Sequence, residues 1–335
     1  MSRLLRIVAR RIINAGITIF GIVCLNYVLI RLMPGDPSLS IIPRDPKYIG
    51  FRDYVIQFFG LDKSQWEQFV IYLQRLFTLD WGISYNYKRP VAEILLHDLS
   101  WTLLLVGTST VFTILIGMLV GAYAAVRRGK PFDFFTTGLG IFFYGMPIFW
   151  LGLVLQALFR SNSPLRSWFT WWPALPTSGY FNDRLLPWAW DWVHVADATA
   201  HLVLPAMTLS LATLAGISLV MRSSLIDVMT EDFTITAKAK GLSDGQVLRR
   251  HILPNGMPPM VSLIALNTAF ILGGAYQVEV VFRYQGIGYR TLEAIHNLDY
   301  PLLQFIIVIG GVAVVIANLV SDFLLLLLDP RIKIS

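Results

Sequence analysis

The chain has 335 residues, 55% of them in the set AVILMFWYC and 14% charged, with a formal net charge of +6. A soluble domain is about a quarter charged and about 45–50% apolar, so this composition argues against an ordinary soluble enzyme, and it rules out a disordered chain. The single cysteine, Cys24, excludes a disulfide framework and a cysteine-rich metal site.

A mean hydropathy of +0.60 points to a membrane instead. A hydrocarbon core of about 30 Å needs roughly 20 helical residues. Six segments are long enough: Ile12 to Met33, Trp101 to Val126, Phe134 to Phe159, His201 to Met221, Met257 to Phe282 and Pro301 to Leu328. Helices are expected because lipid satisfies no exposed backbone amide. Arg3, Arg6, Arg10 and Arg11 precede the first run, as in a signal peptide. The run is too long for a signal core and no small-x-small site follows, so it reads as an uncleaved span.

Between the first two spans lies an insert, 34–100. Ser64 and Glu67 form a capping box there, opening an amphipathic stretch from Gln65 to Thr78. Its apolar positions are Trp66, Phe69, Val70, Leu73 and Leu76. This stretch is too short to span and reads as a helix on the outer membrane face. A cytoplasmic N-terminus leaves segments 1–11, 127–132, 222–255 and 329–335 inside, with 14 Lys or Arg in 58 residues. The outside segments 34–100, 160–200 and 283–300 then hold 12 in 126 residues. The inside is more than twice as basic, which favours both termini in the cytoplasm and explains the positive charge without nucleic acid. Trp168, Trp171, Trp172, Trp188, Trp190 and Trp192 fit an outer interface, or stacking against a ligand.

The spans carry no Lys, Arg, Asp, Glu or His in their middle thirds; Arg31, His201, Glu279 and Asp322 lie near ends. A channel or secondary carrier working alone is the alternative of a different class; it predicts an ionisable group at depth or discontinuous helices near the midplane, and neither is clearly legible. A membrane enzyme would need a reactive cluster, which is also missing. No phosphate-binding loop and no H-E-x-x-H occurs. His97, His194, His201, His251 and His296 lack ligand spacing. Gly117 and Gly121 allow close helix approach, within the chain or between subunits. Thr108, Ser109, Thr113, Ser210 and Asn267 either line a path or bond to neighbouring helices.

Segment 222–255 is the most informative. A helix is expected to continue from span four to Lys240, with Lys238 and Lys240 at its negative end and Gly241 as left-handed cap. Ser243 and Gln246 form a second capping box that opens a short helix. Val247, Leu248 and Ile252 give that helix an apolar face, and Gln246, Arg249 and Arg250 a polar one. Pro254 is expected to limit its end. The residues leave two readings open: a helix on the lipid surface, or a docking helix for a cytoplasmic partner.

This segment resembles the cytoplasmic loop of binding-protein-dependent ABC importer permeases, whose motif is E-A-A, three residues, Gly, nine residues, then I-x-L-P. Here Ile235, Thr236 and Ala237 stand at E-A-A, followed by Gly241 and then His251, Ile252, Leu253 and Pro254. The Gly-to-Pro spacing matches. The departures at Ile235 and His251 resemble the peptide branch, whose loop reads T-A-[RK]-A-K-G. The segments RLMPGDP from Arg31, FGLD from Phe59 and LDWGIS from Leu79 are similar to the dipeptide and oligopeptide B-type permeases. So are VEVVF from Val278, Gly286 to Gly288, Asp299 to Pro301, and DPRI from Asp329.

The resemblance implies an all-α membrane protein with six transmembrane helices of the type I importer permease fold. Its parts are 1–33, the extracytoplasmic insert 34–100, a five-helix core 101–328 with coupling loop 222–255, and the tail 329–335. It implies a non-catalytic subunit forming half of a path for di- or oligopeptides. The same architecture also imports short oligosaccharides, nickel chelates or glutathione. The implied partners are a second homologous permease, two ATPase subunits or domains carrying ATP and Mg, an extracytoplasmic solute-binding protein, and the bilayer. No cofactor or metal is expected on this chain. Thr236, Ala237, Lys240, Gly241, Leu242, Leu248, Leu253 and Pro254 would dock the ATPase.

Overall fold

The computed structural model describes residues 3–32, 56–58, 62–182 and 191–328. Among the described residues the regular structure is helical, joined by turns and loops such as 79–90 and 169–182, apart from one isolated antiparallel bridge between Ile83 and Pro90. The motif residues 33–37, 59–61 and 329–332, together with Trp188 and Trp190, lie outside them. The chain divides into two units, 1–102 with 285–316, and 103–284 with 317–335.

The first unit contains α1 (Arg3–Leu32), α2 (Gln65–Thr78), the start of α3 (Val91–Val126), α12 (Ile287–His296) and the start of α13 (Tyr300–Leu328). Its core joins Val23 and Ile30 of α1 to Tyr72 of α2 and to Phe305 and Ile306 of α13. The Ser64–Glu67 capping box forms as expected. The inward face of α2 differs from the expected stripe. Phe69, Leu73 and Leu76 pack on the core around buried Tyr72, whereas Trp66 is 71% exposed. The reason is polar: Asn26 Nδ2 donates to the Tyr72 hydroxyl at 3.1 Å and to the Gln304 carbonyl at 3.0 Å, which turns α2 towards tyrosine. The rest of α1 carries Ile13, Ile17, Phe20, Leu25 and Leu29 exposed, a pattern that suits lipid as solvent.

Helix α3 starts ten residues before the expected span, which places Asp98 inside it. Asp98 is fully buried and pairs with Arg290 of α12, Nε to Oδ2 at 2.6 Å and Nη2 to Oδ1 at 3.3 Å. Arg290 also donates to Glu293 at 2.8 Å, and the Tyr87 hydroxyl donates to the same carboxylate at 2.6 Å. The guanidinium lies 4.5 Å from the Tyr87 ring centre. Burial first, then the hydrogen bond to Glu293, pushes the Tyr87 phenol up to about 12. Burial works to lower the Arg290 pKa, but the hydrogen bond and charge of Asp98 outweigh it, so the net shift is upward. Buried Asp299 accepts from Ser84 Oγ at 2.5 Å and from the Asn86 amide at 3.1 Å. These acids clasp segment 84–98 to segment 290–299.

The second unit contains the rest of α3, then α4 (Pro131–Tyr144), α5 (Ile148–Phe159), α6 (Pro164–Trp168), α7 (Trp192–Met229), the loop helices described below, and α11 (Pro258–Phe282). The expected third span is not one helix. It breaks at Gly145–Met146–Pro147, where the arms 131–144 and 148–168 are bent by 107°. Pro147 has no amide to donate and disfavours helix at the residue before it. A discontinuous helix is therefore present after all. Helix α7 runs 38 residues rather than the expected span alone, capped by Asp191, which accepts from the His194 amide at 2.9 Å.

Gly117 and Gly121 pack α3 on α7 within this chain. A Cβ at Gly121 would stand 2.4 Å from the Ser218 carbonyl. Thr113 and Thr213 share a hydrogen bond at 3.2 Å, and Ser210 donates to the Ser109 carbonyl at 3.2 Å. Of the possible path-lining residues, Ser109, Thr113 and Ser210 thus join helices. Thr108 bonds back to Leu104 of its own helix at 2.7 Å, and the Asn267 side chain lies outside the described residues. Arg222 of α7 binds Asp133 of α4 through two contacts, at 2.5 and 2.8 Å, and Asp133 accepts the Gly129 amide at 2.9 Å.

By length and apolarity, four helices qualify as spans: Val8–Leu32, Val91–Val126, Trp192–Met229 and Tyr300–Val320. The bent pair makes five among the described residues.

Candidate functional site

Segment 229–258 is built from short elements whose ends are each closed by a specific device. Helix α7 stops at Met229 and does not run on to Lys240. Its end is sealed by the Thr230 hydroxyl, which donates to the Asp227 carbonyl at 2.8 Å, and by buried Thr234, whose hydroxyl donates to the Val228 carbonyl at 2.9 Å. Two local side-chain bonds thus replace the helical ladder, the usual competition offered by threonine. A separate helix, α8 (Asp232–Ala239), follows.

The turn after α8 is a Schellman motif. Gly241 sits at φ 83°, its amide donates to Lys238 O at 2.9 Å, and the Leu242 amide reaches Ala237 O at 3.4 Å. The left-handed backbone, and not space, asks for glycine, because nothing stands within 4 Å of where a Cβ would project. Ser243 then caps α9 (Asp244–Val247), with Gln246 returning the bond to the Ser243 amide at 3.0 Å.

Pro254 does not end this segment. The helix widens to a π turn over Leu248–Ile252, closed by the Leu253 amide on Leu248 O, and continues as α10 (Leu253–Gly256) into α11. Proline falls in the first turn of α10, where its missing amide costs least. The π register restarts the ladder just ahead of it.

The loop packs as a wedge. Ala237, Val247 and Ile252 are buried with Met221 and Leu225 of α7 and Met260 of α11, while Leu242, Leu248 and Leu253 pack at the margin. Ser224 of α7 donates to the Gly256 carbonyl at 2.8 Å. Thr236, Lys240, Gly241 and Pro254 face outward. So do Lys238, Arg249 and Arg250, as well as Ile235 and Phe233, which are 58% and 41% exposed. The eight docking candidates are thus one contiguous feature with two faces: Ala237 belongs to the inner one, and Ile235 with Phe233 extends the outer one. The exposure of Phe233 is not legible in the sequence, because a continuous helix to Lys240 gives 232–239 no register of its own. The arrangement holds no nucleophile, base or metal cluster; among the described residues no group of three metal-ligating side chains exists. What it offers is mechanical: a load on the outer face reaches α7 and α11 through a packed core.

Residues 117–334 match the family described as binding-protein-dependent transport system inner membrane component. The dipeptide transport system permease protein DppB of Escherichia coli K12 is 31% identical over 346 residues, covering 98% of this chain and 99% of that one. The oligopeptide transport system permease protein AppB of Bacillus subtilis is 32% identical, covering 97% and 98%. The glutathione transport system permease protein GsiC of Escherichia coli K12 is 32% identical, covering 98% and 99%. Among solved structures, the MetNI methionine ABC transporter in inward-facing conformations aligns with TM-score 0.52 at 16% identity, covering 70% of this chain and 96% of that one.

Helical architecture and this likeness define the class: an all-α membrane protein with the type I ABC importer permease fold. The chain belongs to the binding-protein-dependent transport system inner membrane component family, and is a multi-pass permease subunit of the inner membrane. The family settles what the break at Pro147 leaves open, namely whether the chain is a self-sufficient carrier.

Proposed function

We propose that this permease forms half of the translocation path of an ATP-driven importer of di- or oligopeptides. Its path is completed by a second homologous permease and powered by two ATPase subunits or domains, which carry the ATP and Mg. The solute arrives on an extracytoplasmic binding protein that touches the insert 34–100. With Pro258–Phe282 counted as a span and the bent pair as another, six spans leave both termini on one side, and the basic bias of the inside segments supports the cytoplasm as that side.

The observation that carries this reading is the wedge of 229–258, held rigidly to α7 and α11 and presenting Thr236, Lys240, Gly241 and Pro254 outward. Leu242, Leu248 and Leu253 at its margin and Ala237 beneath complete the docking feature. ATP favours one state of the ATPase pair, and the wedge passes that preference to the spans; without a difference in affinity between states nothing would couple. The peptide solute rests on the dipeptide and oligopeptide permeases among the relatives. Glutathione, the solute named for another relative, is itself a modified tripeptide.

The test is uptake of a labelled dipeptide by the reconstituted complex, together with cross-linking from a Leu242→Cys variant. Uptake that requires ATP and binding protein, and a cross-link to an ATPase subunit that Tyr180→Cys does not give, are the expected results. No cross-link, with normal transport by Gly241→Val, would return the loop to the lipid surface.

A further inference from the structure

One cavity in the second unit has a chemistry the docking loop does not explain. It measures about 390 Å³ and is lined by Gln156, Arg160, Thr177, Ser178, Val281 and Arg283, among others. Arg160 closes the C-terminus of α5, and Arg283 closes that of α11. Gln156 fixes the wall between them, donating to the carbonyls of Thr177 at 2.7 Å and Val281 at 2.9 Å. The Gly179 amide adds a bond to the Phe282 carbonyl at 2.9 Å. The two helix ends are therefore stitched together, and the two arginines open on one concave space.

Neither guanidinium has a carboxylate partner among the described residues. That contrasts with Arg75, Arg89, Arg222 and Arg290, each of which pairs with an acid. Two exposed cations without an acid partner, lining one cavity, make it attractive to an anion. Helix C-termini already stabilise a cation, which accounts for one arginine at each end but not for both lining one cavity. The size suits a small ligand, since ligand cavities run from about 300 to 1,000 Å³. A folded partner would use a broader and flatter surface. A hydrogen bond from a cationic side chain to a carboxylate is roughly twice as strong as one between neutral groups.

We propose that Arg160 and Arg283 receive a carboxylate of the transported solute, the terminal carboxylate of a short peptide, in the cavity between the ends of α5 and α11. This rests on the peptide reading above. The ends of α5 and α11 belong to the segments expected outside, so the site would meet the peptide as it leaves its binding protein. Thr177 and Ser178 supply hydroxyls for the remaining polar groups.

The experiment uses the complete transporter in proteoliposomes, with its binding protein loaded with a labelled dipeptide. Assembly of every variant is checked by co-purification of the ATPase subunits. The Arg160→Gln/Arg283→Gln variant should lower uptake about tenfold, as expected for lost charge-assisted bonds, while the affinity of the binding protein for the complex stays the same. The Arg160→Lys/Arg283→Lys variant, which keeps both charges, should retain most of the uptake. Undiminished uptake by the Gln variant overturns the proposal. So does a Lys variant as poor as the Gln variant. A parallel loss of binding-protein affinity also overturns it, and assigns the guanidiniums to an acidic face of that protein. If the unaltered complex takes up no peptide, the peptide reading fails with it, whereas peptide uptake insensitive to the Gln variant removes only this site. Should the double variants not assemble, Arg160→Gln and Arg283→Gln are read singly by the same criteria.

Discussion

Two regions hold their backbones in place by opposite means. The clasp of the first unit uses charge, buried at Asp98, Arg290 and Asp299 and half-buried at Glu293, with Tyr87 and Ser84 completing the hydrogen bonds. The wedge of the second unit uses almost none. It is closed by a left-handed glycine, two threonine hydroxyls, a capping box and a small apolar core. A buried ion pair is costly to break yet is a poor measure of net stability. Caps and apolar packing are cheap singly and adjust in small steps. A clasp that fails all at once suits a part that must keep one shape. A wedge assembled from small terms suits a part that carries load between two states.

The largest effect should come from halving the clasp. Arg290→Met leaves buried Asp98 without its cationic partner from α12, with His97 Nδ1 at 3.1 Å still beside it, and breaking a buried pair costs about 3–5 kcal/mol. Thermal unfolding of the purified complex should show a strong loss, and adding Asp98→Asn or Asp98→Leu should recover much of it. An Arg290→Met protein as stable as the unaltered one would mean that the clasp follows the fold and does not hold it.

Next comes the α3–α7 contact. Gly121→Ala pushes a methyl group to within 2.4 Å of the Ser218 carbonyl and 2.8 Å of Met221 Cβ. The helices must separate, at about 1–3 kcal/mol. Gly107→Ala, on the same helix with nothing within 4 Å, should be neutral or slightly stabilising, since alanine is the better helix former. Equal losses at both positions would show that the helix dislikes the substitution itself, and would remove close packing as the cause.

Gly241→Val comes third. Open space around the position leaves only the φ of 83° as a cost, about 1–2 kcal/mol for a residue with a Cβ. The fold should survive while the Schellman turn shifts. Uptake and substrate-stimulated ATP hydrolysis should then fall more than stability does, whereas for Arg290→Met both should fall together. If the two variants lose stability and transport in the same proportion, the contrast between clasp and wedge disappears.

Local signals were legible in the sequence, and long-range ones were not. Ser64 with Glu67, Ser243 with Gln246, and Gly241 announce their roles through residues three apart or through one backbone requirement. The apolar runs likewise give the long helices. Asp98 and Arg290 stand 192 positions apart, and Asp133 and Arg222 stand 89 apart. Nothing near either residue names its partner. Pro147 carried a readable signal, because Gly145 and Pro147 together mark a break. The apolar residues on both sides outweighed it, as hydropathy alone does not distinguish a straight span from a bent one. At Pro254 the signal misleads the other way: proline limits an α-helix, but here a π turn restarts the ladder ahead of it. Thr234 was missed because its hydroxyl caps a helix six residues back, a reach that no simple spacing rule anticipates.

The smallest expected effect discriminates best between docking and stability. Lys238 and Asp244 form an ion pair at 3.6 Å across the Gly241 turn, with side chains 58% and 93% exposed. A pair that exposed is screened by water and salt and contributes little or nothing measurable to stability. Lys238→Ala should therefore unfold at the same temperature as the unaltered protein. Lys240, also exposed, should behave alike in stability. The two differ in function if the wedge docks a partner through the residues beside Gly241: Lys240→Ala should weaken retention of the ATPase subunits, increasingly so as salt is added, while Lys238→Ala, whose charge is already engaged by Asp244, should weaken it less. Identical retention for both variants at every salt concentration would mean that charge at this turn is not read by the partner. Docking would then rest on the apolar Ile235 and Phe233 surface, and the wedge would differ from the clasp in having no use for charge on its outer face either.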